Sequence, residues 1–255
     1  MGNYTQISDK KVIISRTQDK TSKAGRKSEL AREIAKKGVE LRIDMESIVL
    51  SNQASSAGSG NGASNRTLGG FRAWLATNDN MNSGTSGGFN SSTGVVDAAS
   101  NGTQRAFSKA ILDAVILSSY NAGGSPKTLM LSPYAKTVFS TFMSDSNVAL
   151  QRFAANGKGQ TTIVAAADMY LSDFGTISVV PNRQMARAGA GVARNAFLID
   201  PRMVSLGVFD DIQLQKPAKT GDAEKRVLNT EYTLLVNNEA AHGVAADLFG
   251  LSAST

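Results

Sequence analysis

From residue 28 to residue 51 apolar or small positions return every third or fourth residue: Leu30, Ile34, Gly38, Leu41, Met45, Ile48 and Val49. Glu29, Arg32, Glu33, Lys36, Lys37, Glu40, Asp44 and Glu46 fill the other faces. This spacing predicts one long helix with a narrow apolar seam, suited to lie across a sheet. Ser28 is placed to cap the first turn, and Glu29 faces the positive end of the helix dipole. Glu33/Lys37 and Arg42/Glu46 are favourable four-apart pairs. Gly38 falls on the seam and weakens the helix by roughly 1 kcal/mol relative to alanine, which predicts close passage of another backbone there.

A different period rules the C-terminal part. Over 227–238, Leu228, Thr230, Tyr232, Leu234 and Val236 alternate with Asn229, Glu231, Thr233, Leu235 and Asn237, the signature of a strand with one buried face. Residues 212–215 alternate as well, and the turn-rich 217–224 joins the two strands as a long hairpin, across which the first helix is expected to lie. Val12-Ile13-Ile14-Ser15 reads as a short strand whose partner must come from elsewhere in the sequence.

Between these ends, a helix is predicted over 103–121 with Phe107, Ala110, Ile111, Ala114, Val115 and Leu117 or Ser118 inward, stopped by Ala122-Gly123-Gly124-Ser125-Pro126. Residues 128–131 read as a short buried strand. Ser132-Pro133 then starts a third helix over 133–143, with serine as cap and proline at the first helical position. Further strands are predicted at 161–165, 176–180, 196–199 and 204–209, so the middle of the chain reads as an α/β or α+β unit. The Ser-, Asn- and Gly-rich stretches 52–64 and 78–101 read as long loops or mobile segments. The apolar island 68–75 between them holds Trp74, which reads as a core anchor or, alternatively, as a contact on a partner subunit.

Composition narrows the chemistry. The 255 residues suffice for one large or two modest domains, and 24 glycines with only 19% charged residues suit a folded protein with long polar loops. Absence of cysteine excludes disulfides and thiolate metal sites. No apolar run approaches the roughly 18 residues of a membrane span, and the start of the chain lacks a signal-peptide core, so a soluble protein made in the cytosol is expected.

Catalytic readings find little support. His242 is the single histidine, so a histidine-rich metal cluster is impossible, and the plain reading is a polar residue near a strand end. Gly84-Thr85-Ser86-Gly87-Gly88 spells the GxSxG of serine hydrolases, yet lacks the buried strand before and the helix after that a nucleophile elbow needs. A hydrolase using Ser86 and His242 is therefore a distant alternative. The segment 156–162 lacks the leading glycine of a phosphate loop, and 188–194 lacks the third glycine of a dinucleotide fingerprint. Asp210/Asp211, Asp44/Glu46 and Asp222/Glu224 read as solvated charge. No catalytic residue, metal or cofactor is expected.

The chain carries a net charge of +6. Lys10, Lys11, Arg16, Lys20, Lys23, Arg26 and Lys27 cluster ahead of the long helix, without the aromatic interleaving that single-strand nucleic-acid recognition uses. Charge complementarity with a protein neighbour fits at least as well. Elimination thus favours a structural or interaction protein over an enzyme.

Several segments are similar to a known family. NYTQI at 3–7, GVELRIDMESIVLSNQA at 38–54, RTLGGFRAWLATN at 66–78, VVPNRQM at 179–185 and KTGDAEKRVLNTEYTLLVNNEAAHGVAADL at 219–248 resemble major head proteins of tailed bacteriophages with the Hong Kong 97-type capsid fold. The resemblance implies an α+β architecture, with a long spine helix across a long β-sheet (peripheral domain) plus a mixed α/β axial domain. Residues 1–27 would be an extended-loop strand and its connection, overlapping a neighbouring subunit. Residues 28–83 would be peripheral, 84–209 axial, and 210–255 the returning peripheral strands. Such proteins usually begin with an N-terminal arm, and this sequence starts near the second strand of the loop, which implies an absent arm.

The implied function is a major capsid protein that self-assembles into hexamers and pentamers of an icosahedral shell around double-stranded DNA. It would be located in the virion after assembly in the host cytoplasm, with no membrane partner. Decoration, scaffold and portal proteins are further implied partners, and a nanocompartment shell is the alternative. Local charge and turn chemistry single out Lys10, Lys11 and Arg16 for charge contacts between subunits, and Lys219, Asp222, Glu224, Lys225 and Arg226 for contacts where capsomers meet. Trp74 is expected to dock.

Overall fold

A computed structural model describes residues 1–21, 25, 28–60, 64–142, 168–219 and 221–254. Strand β1 (Gln6–Ser15) and the short helix α1 (Arg16–Lys20) precede the long helix α2 (Glu29–Leu50). A single turn, α3 (Phe71–Trp74), leads to β2 (Asp79–Asn80) and to the hairpin β3 (Gly88–Asn90) and β4 (Val95–Asp97). Then come α4 (Lys109–Asn121), β5 (Thr128–Leu131), α5 (Pro133–Thr141), β6 (Met169–Ser172) and β7 (Gly175–Pro181). Two one-turn helices, Arg183–Arg187 and Ala190–Ala193, precede β8 (Ala196–Ile199), β9 (Val204–Gln215), β10 (Ala223–Val236) and β11 (Gly243–Ala245).

Among the described residues three sheets form: β1-β10-β9, β2-β11-β8-β5-β7-β6, and the β3-β4 pair. The partner that β1 needs is β10, paired antiparallel from Gln6 opposite Tyr232 to Ser15 opposite Ala223. Helix α2 packs on the β1 and β10 side of this sheet. Leu228, Thr230, Tyr232 and Leu234 point inward from β10, as their alternation predicts.

The ends of α2 fall where its capping residues place them. Ser28 Oγ accepts from the Ala31 N–H at 3.3 Å, and the Ser51 N–H returns to Ile48 O at 3.1 Å. Its charged pairs differ from the four-apart expectation. Lys36 meets Glu33 at 2.8 Å, Lys37 meets Glu40 at 2.6 Å, and Glu46 accepts from Asn182 Nδ2 at 2.7 Å. The seam is only partly covered, with Glu29, Leu41 and Leu50 as the helix's buried residues. Among the described residues no backbone passes close to Gly38, since a Cβ there would meet nothing within 4 Å. The close approach lies at the end of the helix instead, where a Cβ on Gly70 would sit 2.2 Å from Ser51 O.

The expected strands 204–209 and 212–215 are one strand, β9, with register shifts against β10 between Asn229 and Tyr232. At this bulge Thr230 Oγ1 donates to Asp210 O at 2.9 Å. Helix α4 begins later than expected. Ser108 Oγ caps Ile111 N at 3.4 Å, and Arg105 is held outside the helix by backbone bonds to Asp247 and Phe249. Its inward face is Leu112, Val115, Ile116 and Ser119, while Leu117 is exposed. Ser132 Oγ accepts from Ala135 N at 3.2 Å and opens α5 as its Ser-Pro start predicts. The expected end of that helix at Met143 and the strand 161–165 lie outside the described residues.

The polar stretch 78–101 is more ordered than its composition suggests. It supplies β2 to the six-stranded sheet and the whole β3-β4 hairpin. Asn78 Nδ2 donates to Ala240 O at 2.7 Å and His242 O at 2.8 Å, and Asn52 holds Ala99 through both side-chain atoms. Side-chain amides here do the work that apolar contacts do elsewhere.

Two apolar clusters form the core. One lies between the six-stranded sheet and helices α4 and α5, around Leu112, Leu129, Phe139 and Leu198. The other joins both large sheets, with Tyr232 and Leu234 of β10 packed together with Phe71, Trp74, Phe197 and Val244.

Candidate assembly surface

The residues singled out by charge converge on the three-stranded sheet. The β1-β10 register sets Val12 opposite Arg226, Ile13 opposite Lys225 and Ile14 opposite Glu224, so charges from the two ends of the chain share one sheet end. Arg16 Nε meets Asp222 Oδ1 at 2.9 Å, and its backbone N–H donates to Asp222 O at 3.0 Å. Glu224 takes Lys219 on one carboxylate oxygen and Arg226 on the other, each at 3.2 Å. These two cations, Lys219 first, hold the Glu224 carboxyl below its usual range. Lys10 forms an ion pair with Asp44 of α2, which raises the lysine's pKa. Lys11 reaches only its neighbour Asp9, at 3.8 Å.

All of these groups except Lys225 thus have ion-pair partners within the subunit, and Lys225 is itself engaged in an interaction. Most of them remain partly in water, so each pair is weak by itself and open to rearrangement by a neighbour. Trp74 behaves differently. It is buried at 3% exposure, and its ring stacks on Phe89 with centroids 6.1 Å apart. Its docking is inside the subunit, which confirms the core-anchor reading and removes it from the contact surface.

Ser86 and His242 do not form a catalytic pair. Ser86 is exposed on the loop before β3, with its Oγ 3.9 Å from Met81 Sδ. His242 is buried, its Nδ1 accepts from the Asp200 N–H at 3.1 Å, and its ring meets Phe71 edge-on at 5.3 Å. The flanks of Ser86 are not the strand and helix of a nucleophile elbow, as the sequence indicates.

Sequence reading passed over a buried charge network beneath β2. Arg72 Nη2 donates to Asp79 Oδ2 at 2.9 Å with both side chains almost wholly buried. Burial raises the Asp79 pKa, opposed by the Arg72 charge. Asp247, in the left-handed region at φ 60°, accepts from the backbone N–H groups of Asn82 and Gly102 and from Arg194 Nη2. It thereby pins the start of the polar stretch to the C-terminal segment. An arginine inside an apolar run, Phe71-Arg72-Ala73-Trp74, is the one local signal that could have exposed this network. The free edge of β9 was also missed, because strand order is set by topology.

A spine helix laid across a three-stranded sheet, and joined through a common core to a second, six-stranded sheet, is the arrangement of the Hong Kong 97-type fold. The cyanophage A-1(L) capsid asymmetric unit superposes with a TM-score of 0.57 at 12% identity, covering 95% of this chain and 77% of that chain. The holo-SrpI encapsulin complex from Synechococcus elongatus PCC 7942 gives 0.57 at 8% identity, with 96% and 74% covered. At these identities the likeness is one of fold. The major capsid protein of Escherichia phage Phieco32 is 25% identical over 271 aligned positions, spanning 95% of this chain and 74% of that protein.

The SU10 major capsid protein family model matches residues 1–249, and the chain belongs to that family. It is a structural protein of the capsid shell. Among the described residues no helix is long and apolar enough to cross a membrane.

Proposed function

We propose that copies of this chain assemble into hexamers and pentamers that close as the icosahedral head of a tailed phage around double-stranded DNA. The observation that carries this reading is the family match over residues 1–249, which takes in the spine helix and both large sheets. Helix α2 with the sheet β1-β10-β9 serves as the peripheral unit. The six-stranded sheet with α4 and α5 serves as the axial unit, with β2 and β11 side by side at one of its edges. Lys10, Lys11, Arg16, Lys219, Asp222, Glu224, Lys225 and Arg226 exchange their internal pairs for contacts between subunits or capsomers. Assembly takes place in the host cytoplasm, where scaffold, portal and decoration proteins join. DNA contact is sequence-independent and weakens with salt. The chain performs no catalytic step.

Size-exclusion chromatography with negative-stain electron microscopy, at low and high salt over a range of concentrations, tests this. Shells, tubes or rings of five or six are expected, and a monomer under every condition overturns it. A nanocompartment shell is the second reading, supported by the equal TM-score of 0.57 to the Synechococcus encapsulin. Portal and terminase genes beside this one would decide for the phage head.

A further inference from the structure

Among the described residues the three-stranded sheet ends in strands with one unpaired edge each, β1 and β9. Each is long, at 10 and 12 residues, and an exposed strand edge of that length is a template for another strand. From Val204 to Phe209 the β9 edge carries no charge and no proline, the usual protections of a free edge. Helix α2 packs mainly on β1 and β10. Leu206, Val208 and Leu214 share the face of buried Leu234, Tyr232 and Leu228, yet remain 46%, 50% and 50% exposed. A groove of about 340 Å³ lies between Leu206 and the helix residues Met45 and Val49.

The two edges carry opposite charge. Strand β9 has Asp210 and Asp211 with no lysine or arginine, while β1 has Lys10 and Lys11 against Asp9 and runs into Arg16. Asp210 and Asp211 accept from Gln213 Nε2 and the Ile212 N–H, and neither has a cation partner among the described residues. Asp210 lies opposite Glu231 and Lys11 opposite Val227, and these two β10 positions share the face turned away from α2. Lys11 and Asp210 therefore lie on the same side of the sheet.

We propose that β9 accepts the β1 edge of a second copy of this chain as its next strand. Both strands run antiparallel to β10, so a sheet continued with its helices on one side brings β9 and the incoming β1 together in parallel. The incoming copy's α2, which lies on its own β1, then covers Leu206 and Val208 and fills the groove. The contact is heterologous and leaves a free β1 and a free β9 at the two ends, so it propagates and closes into rings. This inference rests on the shell reading and names the strands that execute it.

A charge exchange tests it. Asp210→Lys/Asp211→Lys and Lys11→Glu should each lower the assembled fraction, read by sedimentation velocity, roughly tenfold or more through like-charge contact, with the circular dichroism spectrum unchanged. Combining them should restore assembly. Undiminished assembly by either variant, or no restoration in the combination, overturns the pairing while leaving the shell reading intact. Failure of the unaltered chain to assemble overturns the shell reading itself. Because the chain has no cysteine, a second route is clean. A mixture of Lys11→Cys and Asp210→Cys subunits should yield a disulfide-linked dimer on oxidation that neither gives alone, and its absence from assembled particles overturns the pairing.

Discussion

Lys10 on β1 and Asp44 on α2 form an ion pair that ties the outer strand of the sheet to the spine helix. The two residues are far apart in sequence, and their meeting fixes which face of β1 the helix covers. Both side chains keep substantial access to water. Such a pair orients more than it stabilises, with a contribution of at most about 1 kcal/mol.

A double-mutant cycle with Lys10→Ala and Asp44→Ala should therefore give a coupling below about 1 kcal/mol in urea unfolding, falling further in high salt. A lysine whose folded pKa is raised stabilises fully below its unfolded value and loses that contribution as pH rises through the folded value. No change in the coupling is expected between pH 6 and 9, and a pH-dependent coupling in that window would contradict the assignment.

Gly38→Ala should stabilise the isolated subunit by up to about 1 kcal/mol, because the added methyl group meets open space and alanine is the better helix former. The shift in urea midpoint measures it. If the variant is more stable and yet fails to assemble, the close approach that Gly38 permits is made by another copy.

Breaking the buried pair is costly. Arg72→Met leaves the Asp79 carboxylate unpaired in the interior and should cost about 3–5 kcal/mol, whereas Arg72→Met with Asp79→Leu should recover most of that loss. A double variant as unstable as the single one would show that the pair acts through the backbone it positions at β2.

His242 should make the subunit acid-sensitive. Burial lowers its folded pKa below the ordinary 6.5, so on acidification the unfolded chain takes up the proton first. Stability is full above about pH 6.5 and is lost as pH falls from there toward the depressed folded value. Thermal unfolding of His242→Gln between pH 7 and 5 should show a shallower decline than the unaltered chain, and an identical slope would clear this residue.

The elements visible in the sequence were those with local causes. The spine helix announced itself by period and by Ser28, β10 by alternation, and the start of α5 by Ser132-Pro133. Each needs only neighbours within a turn or a pleat, which is why their bounds fell close to expectation. Where a competing contact came from far away, expectation slipped. Helix α4 lost its first turns because Arg105 is bound to the C-terminal segment, and the polar stretch 78–101 folded because Asn52 and Asp247 gave its backbone partners.

The assembly surface divides the same way. Lys10, Lys11, Arg16, Asp222 and Glu224 were legible as charge, since charge is a property of the residue. That they share one sheet end follows from the β1-β10 register, a pairing between the two ends of the chain. By itself the sequence determined the spine helix, the alternating strand, the cysteine-free and histidine-poor chemistry and the resemblance to capsid proteins, because period and residue type are written locally. Only the tertiary structure decided that Trp74 is core, that Arg72 is buried against Asp79, and that β9 is an edge strand among the described residues. Strand order and burial are relations between distant segments, and no window of the sequence contains both partners.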